Sequence, residues 1–89
     1  MKEVNIDKGR ERDNLTLMMK DLFDKVNTYN EENPDNQIDV MVLSRDKHGG
    51  ASFLIGEVDN LIRELYESAS RHDAFIEFIK KILDVFGLE

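Results

Sequence analysis

The chain has no cysteine and no tryptophan, and only one proline and five glycines among its 89 residues. Without cysteine there can be no disulfide, thiolate zinc site or cysteine nucleophile. That composition fits a reducing compartment, and a cytoplasmic location is expected. No apolar run approaches the ~18 residues that a membrane helix needs. The opening MKEVNIDKGRERDN also lacks the apolar core of a signal peptide, so no membrane partner is expected.

Basic residues are scarce as well, with 12 Lys and Arg against 19 Asp and Glu and a net charge of −7. Residues 1–37 carry six basic and nine acidic side chains, residues 38–56 two of each, and residues 57–89 four and eight. The only basic-leaning stretch, Lys8, Arg10 and Arg12, is interleaved with Asp7, Glu11 and Asp13. Duplex binding draws most of its affinity from clustered cations. No nucleic-acid partner is expected.

What remains is a small foldable chain. Apolar residues make up 40%, including five Phe and two Tyr, which is too many for a disordered segment. Size scaling gives about 5,300 Å² of folded surface against about 15,000 Å² unfolded, enough for one core. The expected organisation is a polar N-terminal arm over 1–12 and a single α+β domain over 13–87. Leu88 and Glu89 are set apart as the pair that a cloning junction leaves.

Periodicity orders the elements. Leu15, Met18, Met19, Leu22, Val26 and Tyr29 recur at helical spacing, with Phe23 beside them, so residues 13–32 predict a helix. Asp13 or Asn14 can cap it, and Pro34 stops it. Leu17 falls on its polar side. Ile38, Val40 and Val42 alternate with Asp39, Met41 and Leu43, predicting a strand over 37–44. A second strand follows at 51–56, after the polar, glycine-ended link 45–50. Helices are predicted over 57–69 and 71–86, the latter with Ser70 and Asp73 at capping-box spacing. The order is α-β-β-α-α, with helices packed on a β-hairpin. That order is shared by too many small domains to carry a function.

No catalytic, cofactor-binding or metal-binding residue is assigned, and no cofactor is expected. His48 and His72 lack the spacing and companions of a zinc site. Glu31, Glu32, Asp35 and Asn36 around Pro34 lack the alternation of a calcium loop. Ser44, Ser52, Asp46 and His48 are close in sequence, but no elbow motif enforces a triad. Arg45, Lys47, His48, Gly49 and Gly50 form a candidate anion loop, because glycine amides beside basic side chains can hold an anion.

The apolar surfaces are more informative. In the last helix Ala74, Phe75, Ile76, Phe78, Ile79, Ile82, Leu83, Val85 and Phe86 span an arc of roughly 200°, wider than the ~100° stripe of a helix covered on one side. Phe75, Ile79 and Ile82 at its centre are expected to be buried. In the hairpin, Met41, Leu43 and Leu54 point away from the face carrying Val40, Val42, Ala51, Phe53 and Ile55. Burying Met41, Leu43, Leu54, Ile76 and Leu83 within one chain is difficult, so these residues form the candidate interface of a homodimer. The expected function is a small non-catalytic protein-interaction module that self-associates. The alternative is a small-molecule or anion sensor using the 45–50 loop.

Overall fold

The computed structural model describes residues 1–7, 9 and 13–87. The expected basic-leaning stretch at Lys8, Arg10 and Arg12, and the terminal Leu88 and Glu89, lie outside the described residues. The protein is α+β, with the order β1(Lys2–Ile6) α1(Asn14–Glu32) β2(Val40–Asp46) β3(Gly49–Ile55) α2(Val58–Ala69) α3(Asp73–Val85). Two compact units divide it, Met1–Glu57 and Val58–Glu89.

In the first unit the sheet order is β1-β3-β2, antiparallel throughout. Residues expected to form part of an arm are therefore an edge strand. Lys2 pairs with Ile55, Val4 with Phe53 and Ile6 with Ala51. Four of the five β1 residues are exposed, so backbone pairing rather than apolar burial holds the strand. Central strand β3 alternates cleanly, burying Gly49, Ala51, Phe53 and Ile55. On that side Met19 and Val26 of α1 complete the core, and Phe23 meets Phe53 edge to face with ring centroids 5.5 Å apart.

Helix α1 starts where expected, because the Asp13 carboxylate accepts the Thr16 N–H at 2.9 Å. It ends at Glu32, two residues before Pro34. Its buried line, however, is Thr16, Met19, Val26 and Asn30, while Met18, Leu22 and Tyr29 are exposed. Asn30 takes a core position because both ends of its amide are used. Its Nδ2 donates to Ile38 O at 3.1 Å, and its Oδ1 accepts from Ile38 N at 2.7 Å. This clasp holds the chain just before β2 begins.

Aspartates hold both ends of β3. Gly50 N donates to Asp7 Oδ2 at 2.8 Å at one end, and Glu57 N donates to Asp39 Oδ1 at 2.8 Å at the other. Gly49 and Gly56 lie beside these carboxylates with φ of 137° and 106°. A Cβ at either position would collide with the aspartate and strain the backbone.

In the second unit α2 packs against α3. The expected Ser70–Asp73 capping box is not formed: the N-cap is His72, and Ser70 Oγ donates to Glu67 O at 2.7 Å. Gly87 follows the C-cap with φ of 67° and donates to Asp84 O at 3.1 Å, the left-handed helix ending expected of glycine. Neither helix contains a buried residue. The expected burial of the α3 centre is therefore corrected: Phe75 is 41% exposed, and Ile79 and Ile82 are half-buried.

Candidate interaction surface

The six residues 45–50 do not form a six-residue loop. Arg45 and Asp46 belong to β2, Gly49 and Gly50 to β3, and only Lys47 and His48 make the turn. Gly50 pairs with Arg45 and Gly49 with Asp46 across the ladder. The turn's His48 N–H donates to Asp46 Oδ1 at 2.8 Å, and the Gly50 N–H is held by Asp7. Two amides an anion would need thus already face carboxylates, which also repel an incoming anion. Ser44 Oγ donates to Ala51 O at 2.8 Å, so this hydroxyl supports the strand pair rather than facing a base.

An open cleft of about 200 Å³ lies in the first unit, lined by Met1, Lys2, Asn27, Asn30, Gln37, Ile38 and Asp39 among others. It is smaller than the ~300 Å³ at which small-molecule sites usually begin. Its polar groups serve the fold: Asn30 clasps Ile38, and Asp39 holds Glu57 N. Asn27 Oδ1 is buried in this region without a hydrogen-bond partner. Among the described residues no group of three or more His, Asp or Glu side chains is arranged to hold a metal. The Lys25 ammonium is held above its usual range by its hydrogen bond to Asp21 at 2.8 Å, an exposed pair on α1.

The candidate dimer residues fall into two groups. On the outer sheet face Met41 lies directly opposite Leu54, with Leu43 two residues along β2. Leu43 is 60% exposed, Met41 is also exposed, and Leu54 is half-buried. Ile76 and Leu83, seven residues apart on one side of α3, are exposed and half-buried respectively.

Sequence reading singled out the α3 arc but missed its companion on α2. On α2, Val58, Ile62 and Tyr66 recur every fourth residue and are all exposed, Ile62 at 59% and Tyr66 at 74%. On α3, Phe75, Phe78, Val85 and Phe86 are exposed, Phe86 at 71%. The i, i+4, i+8 stripe on α2 was the available signal. It reads as core only when another element is assumed to cover it. No helix of the described residues is long and apolar enough to cross a membrane. Comparison with protein-family models, curated proteins and solved structures finds no match for the chain.

Proposed function

We propose that the protein is a small, non-catalytic, cytoplasmic interaction module that docks protein surfaces through the apolar faces of α2 and α3. The observation that supports this reading is a pair of amphipathic helices in which no side chain is buried. Clusters of exposed Phe, Tyr and Ile on a soluble chain usually mark a contact surface. The reading draws further support from the first unit, where the Asn30 amide, the Ser44 hydroxyl and the Asp7 carboxylate are engaged with backbone. Those groups stabilise strand ends and leave little chemistry for a substrate. The anion-sensor alternative is weaker, because Asp7 and Asp46 face the amides it requires.

A photocrosslinking phenylalanine analogue placed at Tyr66 tests the reading in cells that express the chain. Irradiation is expected to give a discrete covalent protein adduct, whereas the same probe at the exposed Asn14 gives none. Absence of an adduct from Tyr66, or equal adducts from both positions, refutes it.

A further inference from the structure

We infer that the occupant of the α2–α3 surface is a second copy of the same surface, so that two helical hairpins close into a four-helix bundle. This inference rests on the interaction-module reading and names its partner. Two observations carry it: the area exposed and the charges that border it.

Ile62, Tyr66, Phe75, Phe78, Val85 and Phe86 range from 41% to 80% exposed. With ~150–250 Å² for each aromatic side chain and somewhat less for each aliphatic one, together they present roughly 700 Å². A specific complex needs about 800 Å² per partner. The two helices are of nearly equal length, 12 and 13 residues, so a two-fold pairing can cover both along their whole extent. Bundles of four such helices bury their faces by side-chain interdigitation at a shallow crossing angle.

The borders select a copy of the same hairpin. At about 100° per residue, the apolar arc of α2 runs from Leu61 to Tyr66, flanked on one side by Asp59 and then Arg63. On the other side come Ser68 and then Glu64, which accepts from Ser68 Oγ and faces Arg71 at 4.0 Å. The arc of α3 runs from Val85 to Ile76, flanked by Lys81 and Lys80. The first charged residue on each border is thus acidic on α2 and basic on α3, with Arg63 next after Asp59. A two-fold axis that sets α2 of one copy beside α3 of the other brings opposite charges together at both seams. An isologous contact needs self-complementarity of this kind. The outer sheet face carries fewer apolar residues, Met41, Leu43 and Leu54, and is bordered by Glu3 on β1 and Arg45 on β2.

Sedimentation equilibrium of the full chain from micromolar to millimolar concentration is expected to show the mass rising from 10.3 kDa towards twice that value. A mass that stays at the monomer value throughout overturns the inference. Ile62→Lys should yield a monomer and Leu43→Lys should remain dimeric; the reverse pattern places the dimer on the sheet face and also overturns it. A charge-swap series guards against variants that fail to fold. Lys80→Glu with Lys81→Glu should weaken association about tenfold or more, and adding Asp59→Lys with Glu64→Lys should restore it. No restoration in a helical, soluble quadruple variant refutes the seam. A monomeric chain that still gives a Tyr66 adduct with a different protein would sink the dimer and leave the module reading standing. A monomer without any adduct would sink both.

Discussion

Replacing Asn30 tests how the first unit is held together. The side chain is 7% exposed and is joined by two hydrogen bonds to the peptide groups of Ile38. Asn30→Ala removes both bonds and leaves one donor and one acceptor in a part-buried position. A typical net hydrogen bond contributes about 1 kcal/mol, and a buried group left unsatisfied costs about 1–3 kcal/mol. Ile38 itself is partly open, so water recovers some of this. The expected loss is about 2 kcal/mol, read from urea unfolding by far-UV circular dichroism, with faster exchange of the Ile38 amide by NMR. Asn30→Asp adds a control with a defined sign. Its carboxylate can still accept from Ile38 N–H, but it sets a lone pair against the Ile38 carbonyl where Asn30 has a donor. Burial and this repulsion raise the folded pKa above the ordinary ~3.9. The deficit relative to the parent is therefore full above the folded pKa and shrinks as pH falls through it. An alanine variant within about 0.5 kcal/mol of the parent, with unchanged Ile38 exchange, would refute the clasp.

Other substitutions probe the remaining parts. Phe53→Ala, at a position 2% exposed and edge to face with Phe23, should cost about 3–5 kcal/mol, and Phe75→Ala should cost clearly less at concentrations where the chain is monomeric; equal losses by thermal unfolding there would mean α3 is covered within one chain. Gly56→Ala should cost about 2 kcal/mol or more, because φ of 106° and the neighbouring Asp39 both exclude a Cβ, and a neutral result by urea titration would contradict that geometry. Asp7→Ala should accelerate exchange of the Gly50 amide and leave that of Ile38 unchanged, whereas unaltered Gly50 exchange would show that the carboxylate is not its acceptor. Leu17→Ala, on the exposed side of α1, should change stability by less than about 0.5 kcal/mol.

The legible parts of the fold were those where one period dominates. The capped start of α1, its end before Pro34, the β2–β3 hairpin and both later helices follow from apolar spacing and turn residues. Strand β1 was not legible as such, because its pairing runs through backbone groups while Lys2, Glu3 and Asn5 carry no burial signal. The α1 face was displaced for a similar reason. Thr16 and Asn30 are polar, so a count of apolar residues shifts the stripe towards Met18, Leu22 and Tyr29. Asn30 earns its place by bonding to a peptide eight residues away, which spacing alone does not reveal. The acidic clamps on Gly50 and Glu57 are non-local too, joining Asp7 to a strand residue 43 positions later and Asp39 to the link after β3, 18 positions later. For the exposed helical surface the wide α3 arc was visible, but the stripe of Val58, Ile62 and Tyr66 on α2 could not be told from a core face by spacing alone. Amphipathicity says that a face is apolar; it does not say what covers it.

The two units are stabilised by different means, and the difference bears on function. In the first, an aromatic pair, a three-stranded ladder and two aspartate clamps surround a buried core. These contacts are internal and hold at any concentration. In the second, helices of 12 and 13 residues meet each other without burying a single side chain. Isolated helices of about that length are marginal in water, since nucleation is costly and propagation adds little per residue. On the proposed reading, the helical state of this unit draws stability from the partner that covers its apolar faces. A partner that binds only the helical form stabilises it by about 2.7 kcal/mol at a hundredfold excess over its dissociation constant. Folding of α2 and α3 and recognition by them are then linked parts of one equilibrium. A hairpin with its own complete core would gain no such dependence. On that reading the exposed Phe, Tyr and Ile side chains make stability and association respond together, which is the physical property an interaction module needs.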